Sequence, residues 1–258
     1  MRLEYKIKMR LISKLRNYII KKEREDIAFK LSQIVKFKIG KLLNFRNYIG
    51  LNKKIENQIK LQPEGNVKIQ FGAGSGKLGE ASLKKIDGFI ASDIFGEIPI
   101  DITHRFPMRD KSINTIFSSH LIEHIHQFEI DNFLSECCRV LSEDGILITA
   151  TPSLEKIAKL LYGPDDNNKN FYMNSHPIAL LGRKPTPARI INCMSHISYG
   201  HKFILDFDTY EDLSFNAGFQ KVEKLDVLDI EDVNLRKSLL NRGKKYWLHT
   251  ELWMSKKS

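Results

Sequence analysis

Three glycines at alternate positions, Gly72, Gly74 and Gly76, close a short apolar run that begins at Val67. Glycine is needed where backbone turns tightly or lets a ligand approach without a Cβ in the way. A nucleotide-like cofactor at the carboxyl end of a first parallel strand creates that need, although glycines after strands also simply end them. A second apolar run ends in Asp93, about twenty positions beyond the loop, where a carboxylate can accept hydrogen bonds from both hydroxyls of a ribose. Capping a turn is the plainer use of the same residue, as a solvated loop acid is for Asp101 at the end of I-P-I-D-I. Four titratable side chains gather where the run T-I-F-S-S-H ends: His120, its last residue, then Glu123, His124 and His126. The imidazoles of His120, His124 and His126 lack an accompanying thiolate or carboxylate pattern, so no metal is expected there.

The elements that must carry these residues follow from the hydrophobic pattern. A helix-compatible segment runs from Lys77 to Ile86, then D-G-F-I-A-S-D-I, I-P-I-D-I and T-I-F-S-S-H follow as strand-like runs. A helical pattern from Phe128 to Leu141 leads through S-E-D-G into I-L-I-T-A-T-P. The order β-α-β-β-β-α-β with short turns predicts an α/β parallel sheet. Between Pro152 and His201 the chain departs from a plain sheet-and-helix pattern, with a turn-rich, polar run from Tyr162 to Asn170, and reads as an insertion suited to covering a cofactor and shaping an acceptor pocket. Tyr172, His176, His196 and His201 are its candidates for acceptor contacts, each equally suited to a structural or solvent-facing role. The run Tyr246 to Met254 alternates enough to predict a final strand, paired antiparallel.

The ordered motifs between Gly72 and Pro152 resemble a class I S-adenosylmethionine-dependent methyltransferase of the type 11-like bacterial branch. The resemblance rests on Asp87-Gly88-Phe89 with Asp93, and on Asp101-Ile102-Thr103 with Phe106-Pro107-Met108, Asp110 and Ser112-Ile113. It continues through Ser118-Ser119-His120, Glu123-His124, and Glu136 with Arg139-Val140-Leu141 before Gly145. Further on, His201-Lys202 and F-D-T-Y-E-D-L-S-F-N-A-G-F resemble the branch's C-terminal segment, so the likeness covers roughly residues 66 to 225. It implies a doubly wound, mostly parallel seven-stranded sheet of Rossmann-like type.

For the site, the resemblance implies S-adenosylmethionine as cofactor. The loop of Gly72, Gly74 and Gly76 would approach its methionine portion, Asp93 its ribose and Asp101 its adenine amino group, with Ile102 and Ser119 alongside. Gln70 stands where most class I enzymes carry an acid two residues before the first glycine. Methyl transfer is an in-line displacement in which the protein mainly aligns the nucleophile. A hydroxyl acceptor benefits from a general base, and histidine suits neutral pH. His120 is the candidate base, with Glu123 its candidate partner, while His124 is read as structural.

Composition bounds the rest. The 258 residues carry a net charge of +10, with 42% hydrophobic and 28% charged residues, an ordinary balance for a chain with one α/β core and an appendage. Residues 1–62 hold seventeen Lys and Arg against five Asp and Glu, which leaves the remainder slightly acidic. The division predicted is a basic helical extension over 1–62 and a methyltransferase domain over 63–258, with its insertion at 152–205. Leu3, Ile7, Leu11, Leu15 and Ile19 form one apolar stripe amid Lys and Arg, and a second helical segment is expected from Ile27 to about Leu43. Three uses compete for this extension: packing on the core, lying on anionic lipid through residues 1–25, or gripping nucleic acid. Three cysteines suggest no disulfide framework, and neither a membrane-spanning run nor a signal peptide is apparent, so a cytoplasmic enzyme is expected, peripheral to the inner membrane surface if the lipid reading holds. The resembled branch is associated with surface-glycan assembly, which implies a sugar hydroxyl on a nucleotide- or lipid-linked saccharide as acceptor. Alternatives are an RNA methyltransferase and a non-catalytic protein that keeps the fold for binding. S-S-H-L stands where amino-group methyltransferases carry Asn-Pro-Pro-Tyr, which argues against base N-methylation.

Overall fold

The computed structural model describes residues 45–74, 85–94, 96–176, 184–197 and 200–258. The stripe of Leu3 to Ile19, the segment Ile27 to Leu43, Gly76 and most of the segment after it lie outside the described residues, as does the side chain of His196.

Six strands form one sheet: β1 (Lys68–Phe71), β2 (Ile90–Ser92), β3 (Ile113–Ser119), β4 (Leu141–Pro152), β5 (Lys221–Leu225) and β6 (Thr250–Lys256). Their order is β2-β1-β3-β4-β6-β5. The first four run parallel, and β6 lies antiparallel between β4 and β5. This is a mixed α/β, Rossmann-like architecture. Successive side chains of a strand point to opposite faces, so the apolar runs of the central strands feed two cores. Ile116, Leu147 and Trp253 face one core with Phe71, Phe106 and Phe133. Phe117, Ile148 and Leu252 face the other with Phe89, Leu235 and Leu239.

Helix α1 (Phe45–Lys60) belongs to the larger core: Ile55 is fully buried there, with Leu51 and Ile59 packed against it. The described end of the basic segment therefore packs on the sheet domain, and Arg109 pairs with Glu56 at 3.0 Å. Helix α2 (Gln127–Val140) covers the same face, burying Ile130, Phe133, Leu134 and Cys137. Within the insertion, α3 (Leu154–Tyr162), α4 (Asp166–Asn174), α5 (Pro187–Asn192) and a π-helical turn, Cys193–Ile197, follow one another. They share a small core of Ile157, Leu161, Tyr172, Ile190 and Met194. Helix α6 (Phe207–Asn216) precedes β5, and α7 (Val233–Leu240) and α8 (Lys244–His249) precede β6. Among the described residues no helix is long and apolar enough to cross a membrane. All three cysteines are buried free thiols.

Two expectations change. Among the described residues the sheet has six strands where seven were expected, because I-P-I-D-I joins no ladder. Pro99 has no N–H to give a ladder, and the carbonyl of Ile98 instead accepts from the Asp93 N–H at 3.3 Å and the Ser92 hydroxyl at 2.9 Å. The alternation from Tyr246 to Met254 spans two elements. Helix α8 runs to His249 and the strand begins only at Thr250.

The loop F-P-M-R-D is clamped to α2 by one ion pair. Arg139 meets both carboxylate oxygens of Glu136, at 2.9 and 2.6 Å, and donates to the carbonyls of Phe106 and Met108 and to Asp110. Glu136 also accepts from the Phe106 N–H at 2.6 Å. Burial opposes the charge of Glu136, but the Arg139 guanidinium and the Phe106 amide outweigh it and hold its pKa below the usual carboxylate value. That stabilisation is complete above the usual carboxylate range and is lost as pH falls through it toward the lower native value. Glu136→Gln is expected to cost roughly 3 kcal/mol at neutral pH. In urea titrations the variant's stability should fall less steeply below pH 5 than the wild type's; parallel acid limbs would exclude this account.

Candidate active site at the carboxyl edge of the sheet

Register sets the geometry of this edge. Phe71 pairs with Ser118, and Ser119 pairs with Ala150, so β1, β3 and β4 end close together. At the end of β1 the chain turns through Gly72 and Gly74, at φ 68° and 74°. That left-handed region is open to glycine at no steric cost. A Cβ on Gly72 would lie 3.2 Å from Leu121 Cδ1, so the loop also lies directly on the segment after β3. Gly74 N–H donates to Asp93 Oδ2 at 3.0 Å, and Ala73 N–H donates to the Ser92 carbonyl at 3.1 Å. The glycine turn and the end of β2 thus form one bonded unit. A positive-φ backbone with a half-buried carboxylate beside it fits a cofactor carrying a ribose.

Gln70 is buried, and its Oε1 accepts from the Ile86 N–H at 3.0 Å. Its side chain thereby ties β1 to the segment entering β2. Asp101 is engaged locally: Oδ1 accepts from the N–H and hydroxyl of Thr103, and Oδ2 lies 2.9 Å from His104 Nδ1. Ile102 beside it is buried. Ser119 shares a hydrogen bond with the Tyr246 hydroxyl at 3.1 Å.

Immediately after β3, His120 takes a φ of 48°, uncommon for a residue with a side chain and most often seen where function or a tight turn demands it. Its N–H still pairs with the Ala150 carbonyl at 2.8 Å, so the chain leaves the sheet abruptly. The ring is thereby held between two partners. Nδ1 lies 3.1 Å from Glu123 Oε1, and Nε2 lies 3.0 Å from the Thr250 hydroxyl. With the proton on Nδ1 facing the carboxylate, Nε2 is the accepting nitrogen.

Glu123 sits in the 3-10 turn Ile122–His124 with no exposed surface, and Thr151 Oγ1 donates to its Oε2 at 3.2 Å. Burial would raise its pKa, but the His120 hydrogen bond and the imidazoles around it bring the net shift below the ordinary value. The carboxylate is therefore ionised at neutral pH. His124 and His201 meet edge to face, 4.9 Å between centroids. His126 is apart from them, stacked on Phe128 and capping α2.

Several neighbours of His120 come from parts of the chain that sequence reading assigned elsewhere. Tyr246 and His249 lie 5.1 and 5.7 Å from its ring, and Thr250 opens β6. Burial pushes the Tyr246 hydroxyl up to about 12 and His249 down to about 3. Read as strand residues, these three carried no signal of a site; the turn residue Gly243 before K-K-Y-W-L-H was the available clue to a helix. Of the insertion's candidates, Tyr172 is a core residue whose hydroxyl meets Met194 Sδ at 3.2 Å and whose ring lies 5.5 Å from His249. His176 is buried beside it, and burial lowers its pKa to about 4. Helix α8 binds the insertion through Lys245 Nζ, which donates to the Ser175 carbonyl at 2.9 Å.

Residues 87–149 match the family Methyltransf_11, described as a methyltransferase domain. Nothing among curated proteins matches the chain. Among solved structures, the complex of the Haloferax volcanii Trm112 methyltransferase activator with a methyltransferase aligns at 15% identity and a TM-score of 0.42, over 83% of this chain and 95% of that one. A SAM-dependent methyltransferase of Archaeoglobus fulgidus aligns at 15% identity and 0.40, over 81% and 94%. One of Thermotoga maritima, titled a possible histamine N-methyltransferase, aligns at 12% and 0.39, over 87% and 96%. Over residues 87–149 the chain is thus similar to a methyltransferase domain.

The contact between glycine turn and Leu121 is directly testable. Gly72→Ala should destabilise the protein by about 1–3 kcal/mol, from the left-handed φ and the crowded methyl together. Leu121→Ala in the same chain should recover the steric part and leave the backbone part, a coupling that a double-mutant cycle of urea unfolding measures. Strict additivity would show that the two segments do not touch.

Proposed function

We propose that this protein is an S-adenosylmethionine-dependent methyltransferase that methylates a hydroxyl of a saccharide, with His120 as general base. The observation that carries the reading is the line Thr250–His120–Glu123, an imidazole oriented by a buried carboxylate with its other nitrogen turned to a hydroxyl. A base of this kind serves an alcohol nucleophile, whose proton must leave as the oxygen attacks. When bound, S-adenosylmethionine supplies the methyl group on an electrophilic sulfonium. Gly72, Gly74 and Asp93 would hold it, with Gln70 bracing the strand behind them. Glu123 keeps the Nδ1 proton of His120 in position, so that Nε2 can take the hydroxyl proton in exchange for the Thr250 contact. The hydroxyls of Ser119, Tyr246 and Thr250 give this edge the polar lining that a polyhydroxylated acceptor requires. The resemblance to a branch associated with surface-glycan assembly supports a nucleotide- or lipid-linked sugar. A lipid carrier would also give the cationic face of residues 1–25 a use, at anionic membrane.

Calorimetric titration with S-adenosylmethionine and S-adenosylhomocysteine tests the donor half. Asp93→Ala should lower affinity at least about tenfold, as the loss of a charged ribose contact does. The acceptor half is tested by transfer of labelled methyl to nucleotide- and lipid-linked saccharides. His120→Ala should reduce kcat by about 10²–10⁴-fold with cofactor affinity retained. Undiminished turnover in that variant would remove His120 from the chemistry.

A further inference from the structure

The geometry points to a binding site for one divalent first-row cation, of zinc type, formed by Glu123, His124 and His201. One carboxylate oxygen and one nitrogen from each ring lie within 4.8 Å of one another. Two imidazoles and a carboxylate are a donor set that holds zinc and related ions and leaves coordination positions open. Bonds of about 2.1 Å would draw the donors to roughly 3.4 Å apart, a closure within reach of side-chain rotation by the partly exposed His124.

Two separate segments supply the donors, and the backbone joins them. The N–H groups of Lys202 and Phe203 both donate to the Glu123 carbonyl, at 2.7 and 3.3 Å, which fixes His201 beside the turn that carries Glu123 and His124. The carboxylate is also braced from behind, by the Thr151 hydroxyl on Oε2 and by His120 near Oε1. Outer partners of this kind orient a ligating carboxylate. Burying a carboxylate is costly unless its charge is compensated, and a cation would add to the compensation that His120 and Thr151 already supply. The expectation of no metal considered His120, His124 and His126; folding brings His201 and Glu123 to His124 instead.

Resting on the methyl-transfer reading, the ion has a chemical use. An ion held by Glu123 would lie on the carboxylate that faces His120 Nδ1, and would supply Lewis acidity to an acceptor oxygen that completed its coordination.

The test uses full-length protein freed of metal by chelation, titrated with Zn²⁺ calorimetrically and with Co²⁺ by visible absorption. One equivalent is expected to bind. His124→Ala and Glu123→Gln should each weaken binding at least about tenfold, and Thr151→Ala about tenfold through the lost brace. His126→Ala, which removes an exposed imidazole nearby, should leave it unchanged. Since Glu123 is buried, thermal unfolding of each variant is followed in parallel, and His124→Ala decides. No uptake by the wild type, or equal affinity in His124→Ala, overturns the site. The titration contains no S-adenosylmethionine, so its failure leaves the methyl-transfer reading standing, and failure of cofactor binding leaves the ion site standing.

Discussion

The parallel pairing of β1, β3 and β4 is the constraint from which the site follows. Parallel strands in register must end at one edge, and here they deliver Phe71, Ser119 and Pro152 to it. Each chain then has to leave the sheet within a residue or two, where ladder hydrogen bonds run out. β1 leaves through the left-handed Gly72. β3 leaves through the left-handed His120, whose N–H still completes the ladder on Ala150. One pays for the turn with a missing side chain, whereas the other keeps a reactive one. Leu121, next along the chain, then packs under Gly72 and fixes the distance between the two exits.

Two buried carboxylates make the contrast between structure and chemistry concrete. Glu136 is held by Arg139, whose charge is permanent and whose planar fork meets both oxygens. That arrangement is rigid, and it locks a loop. Glu123 instead meets the His120 imidazole and the Thr151 hydroxyl, neither of which carries a permanent charge. The two carboxylates lie toward opposite ends of the same turn-and-helix segment.

Much of this was legible in the residues. The ordered run from Gly72 to Arg139 pointed to the α/β class, because strand ends and the glycine turn occur at spacings set by the fold, and the resemblance it carries implied the methyl donor. The boundaries of α2 fell within a residue of the periodicity that marks them. I-P-I-D-I misled because buried isoleucines mimic a strand while Pro99 denies it a ladder. Tyr246 to Met254 misled because a two-turn helix before a strand leaves too few residues to display a period. Thr250 stands opposite His120 across 130 positions of chain, a pairing that only the finished sheet reveals. His201 likewise reaches Glu123 through backbone bonds that no local pattern encodes.

The place of β6 has a consequence for how the molecule comes into being on the ribosome. It follows both of its partners in the chain, yet it lies inside the sheet, between β4 and β5. Until it emerges, the nascent domain presents two open strand edges facing a gap, the geometry most prone to pairing with other chains. Thr250 and the helix carrying Tyr246 arrive with it. The sheet is thus closed and the His120–Thr250 contact made in one event, and a chain interrupted before β6 would leave both edges open to other chains.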